Sequence, residues 1–174
     1  MSGRVESNWE AFDGKAPRVD ARAYVHPSAV LIGEVVIGPE SSVWPNVTLR
    51  GDDGPILIGA RSSIQDNSVI HCTEGLSFTT VGDRVTVGHS VVLHGCTIHD
   101  DVLIGMGAIL LDEVVVESGA IVAAGTLVPP RKRVTAGTVV AGNPMRVLRT
   151  CTDADREMIA FSWRAYVKRA AEYG

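Results

Sequence analysis

Three of the five histidines lie close together in the sequence, at His71, His89 and His94. A neutral imidazole nitrogen is a common ligand for zinc and other divalent transition metals. Three histidine ligands leave the fourth position of a tetrahedral zinc ion open, which is the arrangement of a catalytic site. The spacing therefore points to a metal-dependent enzyme, provided that the fold brings the three rings together.

The elements that must position these histidines follow a six-residue repeat. An aliphatic residue recurs every six positions, often followed by glycine, and a small or branched residue follows four positions later. The aliphatic residues are Val25, Leu31, Ile37, Val43, Leu49, Ile58, Ile64, Ile70, Val81, Val87, Leu93, Ile98, Ile104, Leu110, Val116, Val122 and Val128. A period of six fits neither a helix nor a hairpin, and each hexad alone is too short to bury its apolar face.

This repeat predicts an all-β chain, folded as a left-handed parallel β-helix in which three hexads form one turn. Each turn climbs by roughly 4.8 Å, one strand spacing, and the complete hexads make about five coils. We expect an extended lead-in over 1–20, the β-helix over 21–150 and a C-terminal α-helix over 151–174. The pattern fades after Val128, so the residues that follow should lead off the last coil. Apolar residues of the helix form a stripe that should pack on the coil: Ile159, Trp163, Tyr166 and Ala170.

The hexad register places His71 and His94 side by side. Each is second in its hexad, and the two hexads are one full turn apart. Two stacked imidazoles gain nothing from one another unless a cation bridges them, and zinc does this well. Arg50 is second in the hexad one turn earlier, so it lies in the same column.

His89 is third in its hexad and lies on another face, with Asp66 one turn below it. It therefore cannot readily meet His71 within one subunit. A threefold assembly of triangular prisms would bring such faces of neighbouring subunits together and create three equivalent sites. The prediction is a homotrimer with a Zn²⁺ site at each interface, where Fe²⁺ or Co²⁺ could fit the same ligands.

Two insertions interrupt the register near the histidines. The first contains GDDGP, after Leu49, and the second lies within CTEGLSFTT, after His71. Extra residues in a coil should loop out at its corners without disturbing the stack. Both insertions are therefore expected to form the rim of the site.

The segments RGDDGPILIG, SIQDNSVIH, VTVGHSVVLHGC, LIGMGA, AGTLVPP and AGNPMRVLR resemble the γ-class carbonic anhydrase family of hexapeptide-repeat proteins. The resemblance covers roughly residues 20–150. It implies a metal-dependent enzyme that hydrates CO₂ reversibly to bicarbonate by a metal-bound hydroxide at the subunit interface. It also implies that one subunit supplies His71 and His94 and that its neighbour supplies His89.

The same resemblance suggests roles for residues around the metal. Gln65 would hydrogen-bond the metal-bound hydroxide, and Arg50, Asp52 and Asp66 would form ion pairs that knit the trimer beside it. A flexible carboxylate near the metal can carry a proton to solvent.

Two acidic residues match positions of such a proton shuttle, Asp53 and Glu74. One departure concerns a tyrosine that many relatives have near the end of the coil, where this chain has Val140.

The composition argues against several other classes of function. The net charge is −4 and there is no long basic run, so nucleic acid is not an expected partner. No signal peptide or transmembrane stretch is visible, which predicts no membrane association. Three cysteines without a CxxC pair are interpreted as reduced thiols of a cytoplasmic protein.

Other functions on the same scaffold stay open. A metal-dependent acyl-CoA thioesterase could use the same metal site, and a non-catalytic assembly subunit could retain it. A hexapeptide acyltransferase uses a lone catalytic histidine without metal, so three histidines at ligand spacing count against it.

Overall fold

The computed structural model describes residues 8–173, whose strands wind into a parallel β-helix with three faces. The first face comprises β1 (Trp9–Glu10), the start of β4 (Val30–Ile37), the start of β6 (Thr48–Ile58), β8 (Val69–His71), β11 (Val92–His94), β14 (Ile109–Leu110) and β17 (Leu127–Val128). The second face comprises β2 (Arg18–Val19), the ends of β4 and β6, β9 (Thr79–Val81), β12 (Thr97–Ile98), β15 (Val115–Val116) and β18 (Arg133–Val134).

The third face carries the remaining strands. It comprises β3 (Tyr24–Val25), β5 (Ser42–Val43), β7 (Ser63–Ile64), β10 (Thr86–Val87), β13 (Leu103–Ile104), β16 (Ile121–Val122) and β19 (Thr138–Ala141). Strand β20 (Arg146–Thr150) pairs antiparallel with β19 and closes this face. Successive strands visit the three faces in turn, as the hexad repeat predicts.

The predicted parallel β-helix is confirmed, but the coil has about seven turns rather than about five. At its start, β1 and β2 already pair with β4. At its end, Val134 and Val140 continue the six-residue spacing and are fully buried. The expectation that the chain leaves the coil after Val128 was therefore wrong. Two further valines point inward, but the polar corner residues around them make the repeat hard to recognise in the sequence.

The aliphatic repeat forms the core of the coil. All of its members are buried except Val25, which is partly buried at the first turn, and they join one continuous apolar cluster. At most corners, the residue three positions after the aliphatic one has a positive φ, as at Asn46 and Asn67. This left-handed conformation turns the chain between faces, and asparagine tolerates it better than most residues.

The insertion after Leu49 does not loop out as expected. β6 continues through GDDGP and pairs with β4, whose register shifts between Gly33 and Val35. Gly33 has a φ of +70°, and a Cβ there would lie 2.5 Å from the carbonyl oxygen of Gly51. Two glycines thus let both strands cross the corner in close contact. The second insertion does leave the coil, as a loop over 72–78.

Helix α1 (Asp153–Tyr173) packs on the third face. The predicted stripe is confirmed, since Ile159 and Ala170 are buried and Trp163 and Tyr166 are half-buried. The three cysteines are free and buried. Within residues 8–173, no helix is long and apolar enough to cross a bilayer.

Candidate metal centre

His71 and His94 are neighbours on the first face. Strands β8 and β11 pair in a register that sets His94 opposite His71, which confirms that they lie on adjacent rungs. Their ring centroids are 5.3 Å apart and their planes are inclined by 64°. Nδ1 of His71 faces Nε2 of His94 at 3.4 Å.

The hydrogen-bond partners of His71 define its tautomer. Its Nε2 lies 3.2 Å from Asp52 Oδ1 and 3.1 Å from Asp53 Oδ2, and its Nδ1 lies 3.2 Å from Nη2 of Arg50. A carboxylate only accepts hydrogen bonds and a guanidinium only donates them. Nε2 of His71 therefore carries the hydrogen, and the lone pair of Nδ1 accepts the hydrogen bond from Arg50.

His94 is oriented by a different carboxylate. Its Nδ1 lies 3.2 Å from Oδ1 of Asp112, so Nδ1 donates, and in the neutral ring Nε2 then has the free lone pair. Burial by itself would raise the pKa of Asp112, but hydrogen bonds from Ser77 and Thr73 and the contact with His94 hold it below its ordinary value. The carboxyl group is thus ionised at neutral pH and acts as an acceptor.

Asp52 is ionised for a similar reason. Burial would raise its pKa, but the 2.6 Å hydrogen bond from Nη1 of Arg50 and the bond from His71 hold that pKa below its ordinary value. An ionised Asp52 supports the assignment of the hydrogen to Nε2 of His71.

Two potential ligand nitrogens, Nδ1 of His71 and Nε2 of His94, thus lie 3.4 Å apart, with the guanidinium of Arg50 next to Nδ1 of His71. Two nitrogens bound tetrahedrally to one zinc ion at about 2.0–2.1 Å are separated by about 3.3–3.4 Å. The donor set and the separation both fit a divalent metal of this kind.

His89 lies on the third face, just beyond β10, where its Nδ1 is 2.8 Å from Oδ2 of Asp66. Within residues 8–173, His71, His89 and His94 do not form a group whose ligand atoms all lie within 4.8 Å of one another. The chain alone therefore brings two of the three predicted ligands together.

A cavity of about 210 Å³ borders His89. Its lining residues are Gln65, Thr86, Gly88, His89, Leu103, Ile104, Gly105, Met106 and Ser162. Gln65 is buried, whereas Met106 is 58% exposed and projects beside His89. Gln65 and Asp66 thus lie beside His89. The other predicted residues except Glu74 lie beside His71: Arg50, Asp52, Asp53 and His94.

Glu74 is exposed on the loop over 72–78 that follows His71. Asp53 is also partly exposed and, with Asp52 and His71, forms a compact group that could hold a cation. The guanidinium of Arg50 already occupies this neighbourhood, since it lies 2.6 Å from Asp52 and 4.0 Å from Asp53. Because the positive charge of Arg50 would repel a metal cation there, we interpret the two carboxylates as groups that orient His71 and not as a separate metal site.

The sequence interpretation missed Asp112 and the hydroxyls that hold it, those of Ser77 and Thr73. Asp112 comes 18 residues after His94, exactly one turn of the coil, so continued register counting would have placed it nearby. Ser77 and Thr73 belong to the inserted loop, whose course the repeat does not predict.

The three-faced coil, its six-residue repeat and the histidine pair define a hexapeptide-repeat β-helix protein. The sequence model of the family described as "Bacterial transferase hexapeptide (six repeats)" matches residues 95–130. A hexapeptide transferase family protein from Anaplasma phagocytophilum has a similar structure, with a TM-score of 0.92 and 36% identity over 95% of this chain and 98% of that one.

Curated relatives narrow the class. A carbonic anhydrase of Geobacillus kaustophilus is 43% identical over 93% of this chain and 88% of its own length. The mitochondrial gamma carbonic anhydrase 1 of Arabidopsis thaliana is 48% identical over 87% of this chain, and the match spans 57% of the plant protein. The chain belongs to the γ-carbonic anhydrase family, as the sequence motifs predicted. Membership of this family implies a metal cofactor.

Proposed function

We propose that the protein is a γ-class carbonic anhydrase that interconverts CO₂ and bicarbonate at a zinc ion. The observation that carries the proposal is the 3.4 Å separation of two potential ligand nitrogens, Nδ1 of His71 and Nε2 of His94, which matches two ligands of one zinc ion. The homology to carbonic anhydrases supports the choice of substrate.

We further propose that His89 of a second subunit completes the site in a homotrimer. Support comes from the placement of the ligands on two different faces of one prism, which a rotation about a threefold axis could bring together. The exposed side chain of Met106 beside His89 would then be covered by the neighbouring subunit.

The surrounding residues prepare the histidines for this role. Asp52 and Asp53 hold the hydrogen of His71 on Nε2, and Asp112 holds that of His94 on Nδ1. When bound, a divalent metal would act as a Lewis acid that makes water nucleophilic near neutral pH. All three proposed ligands are imidazoles, which suit zinc, while Fe²⁺ or Co²⁺ remain compatible.

Proton release is assigned to the carboxylates at the rim. Asp53 touches His71 and is partly exposed, so its carboxylate can exchange protons with solvent. Glu74 is exposed on the adjacent loop and could extend the same route. Gln65 borders the cavity beside His89, where its amide could orient water or CO₂.

Metal analysis and CO₂ hydration rates test the proposal. Protein purified without oxygen should hold about one metal ion per chain. His71→Ala, His89→Ala and His94→Ala should each lose most of that metal and the hydratase activity. His99→Ala, which removes an exposed histidine outside the site, should lose neither. Equal metal content in all four variants would disprove the ligand assignment.

Mixed assemblies test the shared site directly. In trimers refolded from equal amounts of His89→Ala and His94→Ala chains, about one quarter of the interfaces should have all three ligands, and activity should return. Mixtures of His71→Ala and His94→Ala should stay inactive, because both ligands come from the same subunit. Recovery in both mixtures, or in neither, would contradict the proposed geometry.

The same preparations separate the alternatives. A metal-dependent thioesterase would hydrolyse acyl-CoA faster than it hydrates CO₂, and a non-catalytic assembly subunit would bind metal without either activity. The proposal expects CO₂ hydration to exceed thioester hydrolysis.

A further inference from the structure

Asp112 lies directly above the histidine pair in the coil. It follows β14, whose strand pairs with β11, so its carboxylate reaches down one turn to Nδ1 of His94 at 3.2 Å. The carboxylate fits because residue 95, below it, is glycine: a Cβ at Gly95 would overlap both Oδ1 of Asp112 and Oγ of Ser77.

The inserted loop holds this carboxylate in place. Oγ of Ser77 donates to Oδ1 of Asp112 at 2.6 Å, and Oγ1 of Thr73 donates to Oδ2 at 3.2 Å. The loop is closed on itself, since the backbone N–H of Thr73 donates to Oγ of Ser77. Both carboxylate oxygens of Asp112 therefore accept hydrogen bonds from the loop, independently of the contact with His94.

We propose that Asp112, supported by Ser77, is a positioning residue that locks His94 in its Nδ1–H tautomer and aims Nε2 at the metal. This inference rests on the proposed function, because it presumes that His94 is a metal ligand. Carboxylates that accept the second N–H of a ligating histidine fix its ring and increase its basicity. The loop after His71 thereby has a role in the site beyond that of a rim.

The test combines the tautomer of His94 with its metal affinity. Nitrogen-15 NMR of metal-free protein should show hydrogen on Nδ1 of His94, and Asp112→Ala should abolish that exclusive preference. Zinc affinity of Asp112→Ala should fall by about 10- to 100-fold. Asp112→Asn retains an acceptor oxygen without the charge, so it should preserve the tautomer and recover part of the affinity.

A matched control separates positioning from general stability. Asp83 is also third in its hexad, and its Oδ1 accepts the backbone N–H of Ala60 one turn below. Asp83→Ala should therefore disturb the coil to a similar degree and leave the His94 tautomer and zinc affinity unchanged. Ser77→Ala keeps the Asp112 carboxylate but removes its shortest hydrogen bond, so it should weaken zinc binding less than Asp112→Ala does. This variant replaces Asp112→Ala in the test if Asp112→Ala does not fold.

The outcomes distinguish this inference from the proposed function. If the wild type binds zinc and Asp112→Ala has the same His94 tautomer and zinc affinity as the wild type, the positioning role is overturned and the proposed function stands. Equal losses in Asp83→Ala would overturn it as well. If the wild-type chain binds neither zinc nor cobalt, the proposed function fails, and a retained Nδ1–H tautomer in Asp112→Ala still refutes the lock.

Discussion

At the scale of single residues, the site depends on which nitrogen of each ring carries hydrogen. His71 and His94 use opposite nitrogens toward one another, and each is held that way by ionised aspartates on its far side. The aspartates reach the rings because the coil stacks residues one turn apart directly on one another, so their side chains are close neighbours. Neither ring could be oriented by its neighbours along the sequence alone.

Gly95 provides a test at this scale. Gly95→Ala places a methyl group against Ser77 and Asp112, at a φ of +63° that alanine adopts poorly. We expect a loss of about 1–3 kcal/mol in the free energy of unfolding and weaker zinc binding. Urea denaturation and zinc titration measure the two effects.

Gly125→Ala is the control for this substitution. Its φ of +67° is nearly the same, but nothing lies within 4 Å of the added Cβ. It should incur the backbone cost alone and retain zinc affinity. Identical effects in the two variants would show that crowding around Asp112 is unimportant.

At the scale of elements, the helix is attached to the coil through a capping box. Oγ1 of Thr152 accepts the backbone N–H of Asp155, and the Asp155 carboxylate accepts the backbone N–H of Thr152 in return. This reciprocal pair satisfies two backbone donors at the start of α1. Arg149 of β20 also donates to Asp155, so one carboxylate joins the helix to the last strand.

Removal of the cap should loosen the helix. Thr152→Ala is expected to lower the free energy of unfolding by about 0.5–2 kcal/mol. Thr150→Ala, at an exposed strand position two residues earlier, should have little effect. Urea denaturation of both variants checks the difference, and equal stability would argue against the capping role.

The ion pair at this junction predicts a dependence on pH. Hydrogen bonds from Arg149 and Thr152 hold the pKa of Asp155 well below its ordinary value. The carboxylate therefore stabilises the fold at neutral pH, and this contribution is lost as the pH falls from about 4 toward the lower folded-state value. The stability difference between wild type and Asp155→Asn should shrink over that range, and a difference that grows with acid would refute the assignment.

At the scale of the whole molecule, the coil is a rigid prism with the proposed metal ligands on two of its faces. One apolar cluster runs through its length, so the faces keep a defined relation to one another. A shared metal site then couples metal binding to association of subunits, because each ion would hold two chains together.

The face beside His89 gives a test of this coupling. Met106→Glu puts a charge next to His89 at a position that is exposed in the single chain. We expect subunits to dissociate and the bound metal to fall, with the β-helix intact by circular dichroism. Sedimentation velocity measures the assembly.

Leu148→Glu is the matching control, since Leu148 is 62% exposed on β20, which lies four strands from β10 in the sheet of the third face. It should remain assembled and retain its metal. If Met106→Glu also remains trimeric with full metal content, the proposed interface is wrong.

The sequence by itself determined the parallel coil, its buried aliphatic column and the pairing of His71 with His94. The physical reason is that a solenoid is nearly one-dimensional, so that residues one turn apart become neighbours by counting alone. The helical stripe of α1 followed in the same way from its own period.

Only the tertiary structure decided the course of the two insertions, the full number of turns and the tautomers of the histidines. GDDGP stays within β6 because Gly33 and Gly51 let two strands approach across a corner, a fit between segments that no local pattern contains. Asp112 reaches His94 because the loop over 72–78 folds back to hold it, and such contacts depend on side-chain directions in three dimensions.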